Sequence, residues 1–237
     1  MRNNFAALFA SLFMIQHASA TFNFTTCPAS WELQSEDVQK NFDVRKMPGT
    51  YYELALHDYT QYPTCPKLSC IRSVKSFTDV GDGQQQLKDD FTIQCFGHPY
   101  TVEYFFNTTE ANGSLMGFLV DPPAIWKMLF GSDTKYPDTV VAFKESEDGG
   151  QYDWIIEFQC RTQAGWVKGE HVGFTGINFY SRVQNPDPSV LEEMLQAGRD
   201  AGLGVYMDAS WGTRPVPQTN CGYDDEEPTF SGSPLTN

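Results

Sequence analysis

Between residues 50 and 182 apolar and polar side chains alternate with a period of two, in short runs broken by turn residues. In the stretch 154–160, Trp154, Ile156, Phe158 and Cys160 share one face while Ile155, Glu157 and Gln159 share the other. That pattern fits strands with two different environments on their two sides. The same reading predicts eight strands, at 50–59, 68–78, 84–96, 100–107, 114–120, 138–144, 152–161 and 174–182. Gly81-Asp-Gly83, Gly97-His-Pro99, Asn112-Gly113, Asp148-Gly-Gly150 and Gly173 punctuate them, glycine and asparagine permitting positive φ and proline fixing φ at about −65°. Eight consecutive strands joined by mostly short turns predict an all-β chain folded as an eight-stranded antiparallel up-and-down barrel, whose closure removes exposed edges. A sandwich satisfies the same pattern.

After residue 182 the period changes. Leu191, Met194, Leu195 and Gly198 keep the i, i+3, i+4, i+7 spacing of a helix. Asp187-Pro188 offers an N-cap with proline at the first helical position, and Ser189 with Glu192 offers a competing capping box. Gly202 and Gly204 stop the run, so one C-terminal α-helix is expected to pack outside the barrel.

The ends of the chain change the picture. Residues 1–20 read as a signal peptide: Arg2 gives the charge, Phe5 to Ile15 the apolar core and Ala18-Ser19-Ala20 the cleavage site. The barrel domain then occupies 21–222, and 223–237 reads as an acidic disordered tail carrying Asp224-Asp-Glu-Glu227. The formal charge is −14, and becomes −15 without the segment that carries Arg2, which argues against a nucleic-acid partner. All six cysteines (Cys27, Cys65, Cys70, Cys95, Cys160, Cys221) follow the cleavage point, and an even number in a secreted chain reads as disulfides before metal ligands. Asn23, Asn107 and Asn112 head N-glycosylation sequons consistent with that route.

Asn41-Phe-Asp-Val44 followed by Met47-Pro-Gly-Thr-Tyr-Tyr-Glu-Leu54 resembles the first motif of the lipocalin family, with Tyr51 where tryptophan is usual. Ile177-Asn-Phe-Tyr-Ser-Arg182 and the following helix resemble its third motif. The resemblance implies a barrel that holds a small apolar ligand. It also implies structural roles for Gly49, Tyr51 and Arg182, the guanidinium packing over the strand-opening aromatic. Cys27-Pro28, Ser69-Cys-Ile71 and Asn220-Cys221 are similar to the apolipoprotein D branch. That likeness implies Cys27–Cys160 and Cys70–Cys221 bridges and leaves Cys65 with Cys95. Gly173-Phe-Thr-Gly-Ile-Asn-Phe-Tyr-Ser-Arg182 and Thr219-Asn-Cys-Gly222 are similar to the lipocalin domain of violaxanthin de-epoxidases, without their flanking cysteine-rich and acidic segments.

The resulting expectation is a secreted binding protein for a small hydrophobic ligand such as a lipid, sterol, carotenoid or tetrapyrrole, with no cofactor and no metal. By strand parity the expected ligand-lining residues are Tyr51, Glu53, His57, Tyr104, Phe106, Trp154, Ile156 and Phe158. The alternative is a xanthophyll-modifying enzyme of the plastid lumen, which requires a carboxyl of raised pKa in an apolar setting. Glu53 and Asp153 are the candidates for it, with Glu103 and Glu157 also considered, although strand carboxyls ordinarily face water. His98 and His171 are expected at the surface. The 121–130 segment, Asp121-Pro-Pro-Ala-Ile-Trp-Lys-Met-Leu-Phe130, is an apolar loop read as a lid, a tip for peripheral membrane contact, or a short helix against the barrel.

Overall fold

A computed structural model describes residues 27–58, 65, 67–81, 84–120, 135–164, 170–209 and 212–223. The signal peptide, the Asn23 sequon, the 121–130 loop and all of the tail but Tyr223 lie outside the described residues, as does the side chain of His171. Two short helices, α1 (Ser30–Leu33) and α2 (Glu36–Asn41), and a 3-10 turn (Val44–Lys46) precede the strands. The strands are β1 (Gly49–Asp58), β2 (Leu68–Asp79), β3 (Gln85–Cys95), β4 (His98–Thr108), β5 (Ser114–Leu119), β6 (Lys135–Glu145), β7 (Tyr152–Ala164) and β8 (Glu170–Ser181). Each is antiparallel to its neighbour, and β1 pairs with both β8 and β2, which closes the eight strands into an up-and-down barrel.

The closure is incomplete along one edge. β1 pairs with β2 only from Gly49 to Tyr52, and beyond that the two strands part. The chain's C-terminal segment fills the gap: a two-residue strand, β9 (Arg214–Pro215), pairs with Ala55 and Leu56. The Gln218 amide then donates to Glu53 O at 2.8 Å and Ile71 O at 3.0 Å, joining the separated strands. The Cys70–Cys221 disulfide pins this strap to β2, with Cα atoms 5.3 Å apart. Cys27–Cys160 fastens the N-terminal segment to β7, and Cys65–Cys95 ties the approach to β2 to the end of β3.

Helix α3 (Pro188–Asp200) lies outside the barrel. Of its two possible starts, Asp187 is the N-cap, accepting from Ser189 N at 2.9 Å. At the other end the amides of Gly202 and Leu203 return to Arg199 O and Gly198 O, the paired bonds of a Schellman stop. A short helix α4 (Gly204–Met207) follows. Met194, Leu203, Tyr206 and Met207 cover Trp154, Ile156, Phe158, Ile177 and Phe179. This apolar layer is a core on the barrel's outer face.

The end of the barrel next to α2 is shut by Val38, Phe42 and Met47, with Phe42 stacked on Tyr152 at 5.5 Å. Arg182 locks that end. Its guanidinium carbon lies 4.3 Å from the Tyr51 ring centre, Nη2 donates to Pro48 O at 2.7 Å and Tyr51 Oη at 2.9 Å, and Nε donates to Tyr152 O at 2.9 Å. Gly49 has φ +127°, and a Cβ there would come within 1.9 Å of Arg182 Nη1. Glycine is therefore what lets the guanidinium cross the start of β1.

Candidate ligand site in the barrel lumen

Register decides which side chains enter the lumen. Glu53 stands opposite Tyr180, but a bulge at Leu54 resets the alternation, so Leu56 stands opposite Asn178 and His57 opposite Ile177. His57 consequently faces outward and bonds Gly212 O through Nδ1 at 3.2 Å; burial holds its pKa below the ordinary imidazole value. That corrects the inward placement expected from parity with Tyr51. Trp154, Ile156 and Phe158 are corrected likewise, because they belong to the layer under α3 and not to the lumen. Their alternation marked a face without revealing which face. Asp153 and Glu103 are exposed, so neither is a buried proton donor.

The lumen instead receives Glu157, which had looked like a solvent-facing residue. It joins Lys75, Asp89, Asp138, Glu53 and Asn178 in a polar belt. Lys75, Glu53 and Asp138 are 0% exposed, Glu157 1% and Asn178 3%. Lys75 Nζ lies 2.9 Å from Asp89 Oδ2 and 3.1 Å from Glu157 Oε1, and Ser73 Oγ donates to Asp89 Oδ1 at 2.7 Å. On the other side of the belt, Asn178 Nδ2 donates to Glu53 Oε1 at 2.6 Å and Gln159 Nε2 to Asp138 Oδ2 at 3.3 Å. Three acceptor atoms of this belt have no hydrogen-bond partner: Glu53 Oε2, Asp138 Oδ1 and Asn178 Oδ1.

Burial pushes the pKa values of Glu53, Asp138 and Glu157 above the carboxylate range. Neighbouring carboxylates reinforce the rise, whereas Lys75 opposes it at Asp138 and Glu157. Lys75 itself is held protonated, because Asp89 and Glu157 outweigh its burial. The belt thus sets carboxyls whose ionisation burial resists around one buried ammonium.

Aromatic rings surround it. Tyr104 meets Phe91 and Tyr136 edge-on at 5.9 Å each, and Phe106 lies 6.2 Å from Tyr136. Tyr136 lies across the inner face of β5 because residue 117 is glycine; a Cβ there would come within 2.4 Å of its ring. Tyr51, Tyr104 and Phe106, expected as lining residues, all face inward, and Lys75 Nζ sits 5.4 Å from the Phe106 ring centre. An open groove of about 420 Å³ is lined by Phe42, Asp43, Arg45, Thr108, Asn112 and Leu115, between the segment after α2 and the β4–β5 turn. It has no polar group comparable to those of the lumen, its charged pair Asp43–Arg45 being bonded internally at 2.7 Å. Among the described residues there is no group of three or more His, Cys, Asp or Glu side chains able to hold a metal ion.

No family model and no curated protein matches the sequence. Solved structures do resemble the fold. Apocrustacyanin C1 is similar over 84% of this chain and 92% of its own, at 14% identity and a TM-score of 0.53. Lobster apocrustacyanin A1 is similar over 84% and 93%, at 13% identity and a TM-score of 0.52. Likeness at this level of identity establishes a shared fold.

Proposed function

On the premise of a lipocalin fold, we propose that this chain is a secreted carrier that holds one small amphipathic molecule in its lumen, with the molecule's polar end on the belt and its apolar part among the aromatic rings. The observation that carries this reading is the trio of buried acceptors without partners, Glu53 Oε2, Asp138 Oδ1 and Asn178 Oδ1. Such atoms cost about 1–3 kcal/mol each when left unsatisfied, and more when charged. A fold that only needed a packed core would gain by replacing them with apolar groups. The outer layer under α3 is made of apolar and aromatic side chains without charged groups, the Trp154 indole Nε1 being buried there without a hydrogen-bond partner. Three disulfides fit an oxidising compartment.

A second reading has one specific support. Glu53 is a fully buried carboxyl with raised pKa, hydrogen-bonded by Asn178, and so has the attributes of a proton donor to a bound ligand. Incubating the purified protein with a panel of apolar and amphipathic molecules, then extracting and weighing what remains bound, tests both readings. Recovery of unchanged ligand supports a carrier, whereas altered ligand whose formation stops in Glu53→Gln supports catalysis. If no molecule of the panel is retained, the lumen is a packed core and both readings fail.

A further inference from the structure

Which polar group the belt accepts can be argued from what it leaves open. The unpartnered belt atoms named above are all oxygens: one on Glu53, one on Asp138 and the amide oxygen of Asn178. The amide is independent of the acidic cluster, and it is held with its oxygen free because its nitrogen is committed to Glu53 at 2.6 Å. The belt's buried cation is committed too, since Lys75 spans Asp89 and Glu157 at 2.9 and 3.1 Å. Five buried carboxyls, Glu53, Asp58, Asp89, Asp138 and Glu157, therefore share the lumen with one fully buried ammonium and the half-buried Arg161. A ligand bringing another carboxylate or phosphate would meet carboxyl groups in a medium of low dielectric, where repulsion is poorly screened. A ligand bringing N–H donors and positive charge would meet three open acceptors.

We propose that the lumen binds the cationic head of an amphipathic amine, with Glu53 and Asp138 as its counter-ions and Asn178 Oδ1 as a third acceptor. The inference rests on the carrier reading above and adds the chemistry of the ligand. Asn178 Nδ2 keeps Glu53 Oε1, so the open Oε2 is the oxygen offered to the head. Gln159 fixes Asp138 in the same way through Oδ2, leaving Oδ1. The phenol-bearing rings Tyr104 and Tyr136, on the same inner face, supply the polarised aromatic surface on which an ammonium and its first methylenes rest.

Charge balance gives the binding step a signature. Burial raises the pKa of Glu53 and Asp138, and a bound ammonium opposes that rise, so binding is expected to shift both carboxyls toward the ionised form and to release protons to solvent. The other charged groups directed into the lumen by register are Asp58 from β1, Lys75 from β2, Asp89 from β3, and Glu157 and Arg161 from β7. The phenols are Tyr51, Tyr104, Tyr136 and Tyr180; burial raises their pKa values, so they stay neutral between pH 6 and 8.

The test uses three probes of equal chain length, decylamine, decanol and decanoate, titrated calorimetrically into the disulfide-bonded protein at pH 6 and pH 8, each in two buffers of different ionisation enthalpy. Decylamine is expected to bind at least tenfold more tightly than decanoate, to release protons, and to tighten as pH rises from 6 to 8. Glu53→Gln and Asp138→Asn, each checked for a cooperative melt, are expected to weaken decylamine at least tenfold and to weaken decanol less. Decanol or decanoate binding as tightly as decylamine, or decylamine affinity indifferent to both substitutions, overturns the cationic assignment while leaving the carrier reading intact. Failure of all three probes overturns the carrier reading with it.

Discussion

The two faces of β7 make the sharpest contrast in the molecule. On the outside, Trp154, Ile156 and Phe158 lie under α3 and α4 in an apolar layer with Met194, Leu203 and Tyr206. On the inside, one residue out of step, Ile155 shares the lumen with Glu157 and Gln159, and Glu157 reaches Lys75. Both faces are buried, so burial alone does not separate them. What separates them is whether charged groups have been admitted, since the outer layer's buried Trp154 Nε1 is neutral whereas the inner face carries Glu157 against Lys75. The outer layer gains stability from apolar area at about 25 cal/mol per Å², whereas the lumen spends stability on desolvated ions and acceptors left without partners. A barrel that carries both can tolerate the second because the first, the closed-end lock and the disulfides hold it shut.

The largest expected effect therefore lies outside the lumen. Phe179 is fully buried between β8 and α3, with Gly198 close against its ring. Phe179→Ala should cost about 3–5 kcal/mol in urea unfolding, while the folded fraction keeps its ligand preference. A loss of binding selectivity without loss of stability would erase the contrast between the two faces.

Next comes the closed end. Arg182→Ala removes the bonds to Pro48, Tyr51 and Tyr152 and the contact with the Tyr51 ring, and should lower stability by about 2–3 kcal/mol. Gly49→Ala should act through the same guanidinium, since its Cβ falls on Arg182 Nη1 and its φ is positive. The two substitutions share one contact, so the double variant should be less destabilised than the sum of the singles. Full additivity in a double-mutant cycle would show that Gly49 matters through its backbone alone.

The barrel was legible in the sequence because eight period-two runs and their turn residues are local signals, as are the helix spacing and the Asp187 and Gly202 boundaries of α3. The inner or outer sense of each run was not. His57 was misplaced by one inserted residue at Leu54, and a bulge shifts register without leaving a mark in hydrophobic periodicity. Trp154, Ile156 and Phe158 looked like lumen residues because aromatic and aliphatic side chains suit either a cavity or a helix-covered face. Glu157, considered as a carboxyl but set aside as water-facing, and Lys75, missed altogether, failed for the opposite reason: single charges inside strands ordinarily face water, and their pairing joins residues 82 apart in sequence. The signal available was parity, since Glu157 alternates with the residues that pack under α3. Filling of the β1–β2 gap by Gln218 left no sequence signal, being a contact between distant segments.

The smallest effect at any one pH, and the most specific to the lumen, is the pH dependence of stability. Glu53 and Asp138 have folded pKa values raised by burial, so between the ordinary carboxylate value of about 4 and their folded values the folded state binds more protons than the unfolded one. Below that window both states are protonated and the groups contribute nothing; as pH rises through it, stability falls, by at most about 1.4 kcal/mol per pH unit for each carboxyl. Surface carboxylates with lowered values, such as Asp43 and Asp208, act in the opposite sense and below about pH 4. The lowered value of His57 opposes the trend below about pH 6.5. Subtracting the Glu53→Gln curve from the parent curve, both measured without ligand by urea unfolding from pH 5 to pH 9, cancels His57 and the surface groups. The substitution should be least favourable at pH 5 and become progressively more favourable toward pH 9, because the amide removes an ionisation that the lumen resists. Saturating decylamine should flatten the parent's decline, since the ammonium compensates the charge that burial penalises. Parallel curves for parent and Glu53→Gln would mean that Glu53 is as well solvated in the folded protein as in the unfolded chain, and the division between a dry outer face and a charged inner one would fail at its central residue.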